Sequence, residues 1–299
     1  MTTPRHLSKR DKIAIISPAR KITREEVNNA IKVFDRWGLV VIEASNLYSS
    51  YHQFAGTDSD RGGDLQEMLD DPSVKAIICS RGGYGTVRII DSLDFTQFVK
   101  NPKWIIGYSD VTVLHSHIHR HFGIETLHAV MPVNFSASCE NKPCVASLKK
   151  ALFGMPLNYR LPVNDLCREG STEGLLVGGN LSILYSLAGT ASDIDTEGKI
   201  LFLEDLDEYL YHVDRMMINM KRSGKLANLA GLIIGGMTDM RDNEVPFGKS
   251  AWQIIAEAVE EYSYPVYFDF PAGHQKDNRA LILGRRVKFE VGKEMTLSF

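Results

Sequence analysis

The stretch Trp104-Ile105-Ile106-Gly107-Tyr108-Ser109-Asp110, running into Val111-Thr112-Val113-Leu114, constrains this chain more than any other. An apolar strand meets a glycine, and a helix-type pattern begins almost at once, so only a sharp turn fits between them. Such strand–turn–helix joints belong to βαβ units, which assemble into mostly parallel sheets and bind ligands at the carboxyl ends of their strands. The alternation recurs through the first half. Lys12 to Ile16 reads as a buried strand stopped by Ser17-Pro18, and Thr23 with Glu26 forms a capping box opening a helix that ends near Gly38. Leu39 to Ile42 is a second strand, Asp64 to Leu69 is helical, and Val74 to Cys79 and Lys103 to Ile106 are further strands. The expectation is an α/β N-terminal domain over residues 1–152.

Residues 153–171, with Gly154, Pro156 and Pro162 and weak periodicity, read as a connection between domains. Beyond it the texture changes to short strands at Lys199 to Leu203, Leu232 to Ile234, Val266 to Phe268, Arg286 to Val291 and Met295 to Ser298. Helical segments follow Asn180, Tyr209 and Ser250. This pattern predicts a smaller, strand-rich α+β domain over 172–299. A chain of 299 residues with 44% hydrophobic and 24% charged residues suits two such domains. A net charge of −3 gives no electrostatic case for nucleic acid or an anionic membrane surface. The N-terminal residues lack the apolar run of a secretory signal, and no segment is long and apolar enough to span a bilayer. Cys79, Cys139, Cys144 and Cys167 show no C-x-x-C spacing, which predicts a reduced, cytoplasmic protein.

Four segments carry candidate chemistry. Ser109 stands where helix N-terminal amides are unpaired, a layout akin to a nucleophile elbow, although Val111 replaces the second glycine of G-x-S-x-G. A plain helix cap is the alternative for this serine. Ser80-Arg81-Gly82-Gly83-Tyr84-Gly85-Thr86 is a glycine-rich loop that matches neither nucleotide-binding signature. It is either a tight turn or a source of a backbone N–H that joins the one after Ser109 as an oxyanion hole. Lys199 to Leu203 leads into Glu204 and Asp205, with Asp207 and Glu208 close behind, so this cluster is either a solvated turn or the seat of an orienting acid. His274 lies in a loop after a strand. Ser109, Glu204 and His274 thus occur in the order nucleophile, acid, base found in α/β-type serine hydrolases. His115, His117, His119 and His121 form two i,i+4 pairs on different helix faces without a carboxylate partner, so no metal or cofactor is expected.

At these residues the chain resembles the LD-carboxypeptidase family of serine peptidases, the murein tetrapeptide carboxypeptidases, to which the microcin C immunity peptidases are related. The resemblance rests on Ser17-Pro18-Ala19, Phe54-Ala55-Gly56-Thr57-Asp58 with Arg61 and Asp64, Arg81-Gly82-Gly83-Tyr84-Gly85, and Gly107-Tyr108-Ser109-Asp110. It continues through Gly178-Gly179-Asn180, Leu203-Glu204-Asp205 with Asp214-Arg215, and Pro271-Ala272-Gly273-His274 with Asn278. Departures are Leu281-Ile282-Leu283-Gly284, which lacks a proline, and His128-Ala129-Val130-Met131-Pro132 in place of His-Gly-Pro. The resemblance implies Ser109 as nucleophile, His274 as base, Glu204 as orienting acid, and the Gly83 and Asp110 amides as oxyanion donors. Arg81, at a strand edge, is either a substrate-carboxylate ligand or a brace for its loop. The implied function is release of terminal D-alanine from cytoplasmic muropeptide tetrapeptides by a homodimer. The alternatives are cleavage of an aminoacyl-nucleotide antibiotic, or a non-catalytic binder of small molecules.

Overall fold

The alternation in the first half folds as a parallel sheet. The computed structural model describes all 299 residues, beginning with β1 (Lys12–Ile16), α1 (Arg24–Arg36), β2 (Val40–Glu43), α2 (Asp58–Asp70) and β3 (Val74–Cys79). The short α3 (Thr96–Lys100), β4 (Trp104–Gly107), α4 (Thr112–Phe122) and β5 (Thr126–His128) follow. These strands pair in parallel in the order β5-β4-β3-β1-β2. β1, β3 and β4 are almost wholly buried, as strands covered on both faces must be. The capping box forms: the Thr23 amide donates to Glu26 Oε2 at 2.8 Å and the Glu26 amide to Thr23 Oγ1 at 3.4 Å.

The second half departs from its expectation. It contains α5 (Pro143–Leu152), β6 (Asn158–Pro162), β7 (Gly170–Asn180), α6 (Leu181–Leu187), β8 (Ile200–Leu206) and α7 (Leu210–Arg222). Then come β9 (Gly231–Thr238), α8 (Ala251–Ala258), β10 (Val266–Phe268), β11 (Leu281–Leu283), β12 (Arg286–Val291) and β13 (Glu294–Ser298). The second sheet has seven strands in the order β10-β9-β8-β7-β12-β13-β6, against six in the first, so it is not the smaller of the two. Its four strands β7 to β10 are parallel and alternate with α6, α7 and α8, which is an α/β core. Only β12, β13 and β6 add the antiparallel wing that an α+β reading describes.

Two boundaries also differ. The expected connection 153–171 contains β6, which pairs with β13 from Asn158↔Ser298 to Pro162↔Glu294. Pro162 is tolerated because β6 is an edge strand with no further neighbour to receive an N–H. Leu281 to Leu283, assigned to the second domain, pairs instead with β5 of the first sheet. The chain therefore crosses from the second sheet at β10 to the first at β11, and the crossing loop carries His274. One apolar cluster spans both sheets, taking in Ile13 and Trp104 as well as Phe202, Phe270 and Phe289. The domains also meet where the Asn180 amide donates to Thr112 Oγ1 at 3.0 Å. No helix is long and apolar enough to cross a membrane.

Candidate active site

β4 ends at Gly107, and Ser109 opens a single tight turn (Ser109–Val111) that leads into α4. Ser109 has φ of +64°, which costs a non-glycine residue roughly 1–3 kcal/mol and persists only where neighbours enforce it. Asp110 supplies part of that enforcement. Its buried carboxylate accepts the Thr86 amide at 2.8 Å, tying the elbow to the glycine-rich loop, and burial pushes its pKa up. The loop lies directly against the serine. A Cβ on Gly82 would sit 2.7 Å from Ser109 Cβ and 2.8 Å from its Oγ, so only glycine fits. That same point is 3.5 Å from the Asp110 amide. Neither the Gly83 nor the Asp110 amide takes a partner in the turns and loops of the chain.

Glu204 lies near the end of β8, where the register against β9 slips between Leu203 and Asp205. Such an irregularity re-aims side chains, and consecutive strand residues face opposite ways. Both carboxylates are buried but serve different neighbours. Asp205 accepts Asn180 Nδ2 and the Ser182 amide, each at 2.9 Å, at the start of α6; burial and the adjacent Glu204 charge push its pKa up to about 7. Glu204 faces His274. Its Oε2 accepts His274 Nδ1 at 2.6 Å and the His274 amide at 3.1 Å. Gly273 makes this possible: it has φ of +100°, and a Cβ there would lie 2.5 Å from Glu204 Oε2. Burial alone pushes the Glu204 carboxyl up, but His274 and His128 outweigh it and hold it well below the usual carboxylate range. For His274 burial acts downward, and the Glu204 charge and hydrogen bond overcome it, so its pKa is raised. The His274 ring meets Tyr108 edge-on at 4.9 Å.

Ser109 and His274 line one cavity of about 430 Å³, together with Arg81, Gly82, Gly83 and Glu208. They make no hydrogen bond to each other, and catalytic contacts often tighten only with substrate present. Glu208 bonds His212 Nδ1 at 2.5 Å rather than His274. Arg81 lies 3.5 Å from Glu26 Oε1 and donates to the Lys21 carbonyl at 3.4 Å, so it braces its own loop. The histidine run is spread over separate tasks. His115 meets the Gly107 carbonyl at 2.9 Å and His119 meets Thr126 Oγ1 at 3.1 Å; burial lowers the pKa of each to about 3. His117 and His121 reach Ser192 Oγ and the Ala191 carbonyl.

Residues 13–129 match the LD-carboxypeptidase N-terminal domain and residues 173–289 the LD-carboxypeptidase C-terminal domain. The chain belongs to the LD-carboxypeptidase family. It is 34% identical to a probable murein peptide carboxypeptidase of Bacillus subtilis, covering 97% of this chain and 92% of that one. It is 30% identical to a murein tetrapeptide carboxypeptidase of Pseudomonas aeruginosa, covering 93% of each. The muramoyltetrapeptide carboxypeptidase of Oxalobacter formigenes superposes with a TM-score of 0.85 at 28% identity, covering 96% and 98% of the two chains. The microcin C7 self-immunity protein shares the fold, with a TM-score of 0.85 at 21% identity over 100% and 98%.

Two side chains of this LD-carboxypeptidase site escaped the sequence reading. His128 is fully buried at the end of β5, and its Nε2 lies 4.0 Å from Glu204 Oε1. Neither ring nitrogen of His128 nor that Glu204 oxygen has a hydrogen bond within the protein. Arg20 lines the cavity beside Gly83. The sequence marked His128 only as the start of the segment that stands in place of His-Gly-Pro, with no role attached, and Arg20 carries no local pattern at all.

Proposed function

We propose that this chain is a serine carboxypeptidase that hydrolyses an L,D-amide bond and releases terminal D-alanine from a murein tetrapeptide. One observation carries the reading: His274, joined at 2.6 Å to the buried Glu204 carboxylate, opens into the same cavity as Ser109 on its positive-φ turn. Glu204 Oε2 accepts the ring Nδ1–H, which leaves Nε2 free to act as base. Ser109 Oγ attacks the scissile carbonyl while His274 takes its proton, and the Gly83 and Asp110 amides receive the oxyanion. His274, now an imidazolium stabilised by Glu204, returns the proton to the leaving amine of D-alanine. Water then attacks the acyl-serine with His274 again as base, freeing the shortened peptide. The relatives that cover almost the whole chain and act on murein peptides by name support this substrate over an aminoacyl-nucleotide. A cytoplasmic location and a homodimeric state belong to the same proposal.

The test is mass spectrometry of purified protein incubated with the tetrapeptide, beside the same peptide ending in L-alanine. Loss of alanine from the D-ended peptide alone supports the proposal. Loss from neither, or from the L-ended peptide alone, removes it.

A further inference from the structure

Among the charged groups lining the catalytic cavity, one has no counterpart. Asp207 is paired with Arg241 at 2.6 Å, Glu208 with His212 at 2.5 Å, and Arg81 with Glu26 at 3.5 Å. The Arg20 side chain makes no ion pair and no hydrogen bond. Yet its stem is pressed against the glycine-rich loop: a Cβ on Gly83 would lie 2.3 Å from Arg20 Cδ and 2.5 Å from Cγ. Gly82, the next residue, touches Ser109. With adjacent Cα atoms about 3.8 Å apart, the path through Gly83 and Gly82 keeps Arg20 Cδ within roughly 12 Å of Ser109 Cβ. A scissile carbonyl, its leaving nitrogen, one Cα and a carboxylate in contact with a guanidinium span a length of that order. Arg20 and Arg81 also line a second cavity of about 410 Å³, with Lys21, His52 and Gln53 and no apolar side chain. The Lys21 amide donates to the Gln53 carbonyl at 3.1 Å, so this cationic recess is held in place by the backbone.

We infer that Arg20 reads the terminal carboxylate of the peptide, making it the residue that confines cleavage to the last amide bond. The inference rests on the carboxypeptidase reading above. A guanidinium offers a planar fork matched to a carboxylate, and one without an internal partner gives up no existing ion pair to bind it. Arg81, already engaged by Glu26 and the Lys21 carbonyl, holds the loop on which Gly82 and Gly83 sit.

The experiment compares the free-acid tetrapeptide with its C-terminal amide, for the native enzyme and for Arg20→Gln, Arg20→Lys and Arg81→Gln. The native enzyme is expected to prefer the acid in kcat/KM by about tenfold or more, the value of one charge-assisted contact. Arg20→Gln should collapse that preference toward unity through KM, and Arg20→Lys should restore part of it. Calorimetric titration of both peptides into the Ser109→Ala protein, with and without Arg20→Gln, reads the same preference without turnover. An acid preference that survives Arg20→Gln, or that vanishes only with Arg81→Gln, overturns the assignment. Absence of turnover by the native enzyme, with the binding preference still dependent on Arg20, counts against the peptidase reading and leaves the Arg20 assignment standing.

Discussion

Replacing Glu204 by glutamine separates the two services this carboxylate performs for His274. Glu204 Oε2 accepts both the ring Nδ1–H and the backbone N–H of His274. The backbone donor cannot reverse, so the glutamine amide oxygen is held in that position and the ring keeps its proton on Nδ1. The tautomer therefore survives, unlike in a triad where the amide turns its NH₂ toward the histidine and costs about 10⁴-fold. What is lost is the charge that stabilises the imidazolium. Two unit charges about 4 Å apart at an effective dielectric of about 20 interact by about 4 kcal/mol, which is a factor of about 10³ in rate. Full burial of Glu204 leaves little water to screen the pair. Because Glu204 raises the His274 pKa, its removal lowers that pKa, and neutral base persists further into acid. The assay is kcat/KM for D-alanine release as a function of pH. The expected result is a loss of about 10²–10³ on the plateau with the acidic limb moved to lower pH. Glu208→Gln, on the carboxylate that pairs with His212, should leave both plateau and limb in place. A Glu204→Gln enzyme within tenfold of native, or an acidic limb that stays put, would refute the reasoning.

Three further outcomes follow from the geometry. Gly82→Ala inserts a methyl 2.7 Å from Ser109 Cβ, so D-alanine release should fall by at least ~10²-fold, the scale of losing one oxyanion donor, while the circular dichroism melt moves little. His128→Phe removes the one polar group facing Glu204 Oε1; kcat should drop about tenfold with KM nearly constant, and a change confined to KM would contradict a positioning role. EDTA should leave turnover unaltered, because His115 and His119 are committed to Gly107 and Thr126; loss on chelation that zinc restores would contradict this.

Legibility followed the chemistry of each element. β10 and β12 were readable because their apolar or alternating residues stand between clear turn signals, and α1 because its cap is written in Thr23 and Glu26. β7 was not, since its first half, Gly170-Ser171-Thr172-Glu173-Gly174, is polar and its pairing with β12 is long-range. β6 was hidden by Pro162, and the transfer of β11 to the first sheet by the absence of any local mark of which sheet a short apolar run joins. At the site, Ser109 was visible as a strand–helix joint and Glu204 as a strand terminus. A lone loop histidine carries no such mark, and His274 was singled out only by its place in the nucleophile–acid–base order and by the family resemblance. Arg20 depends on the approach of one loop to another, which no spacing in the chain records.

The central claim is that Ser109 is the attacking group, and Ser109→Ala tests it most directly. Removing one hydroxyl from this turn should cost the fold at most about 1 kcal/mol, so the protein remains soluble with its melting cooperative. D-alanine release from the tetrapeptide, followed by mass spectrometry, should fall to the uncatalysed rate. A folded Ser109→Ala protein that still turns over the peptide above that rate would contradict the account.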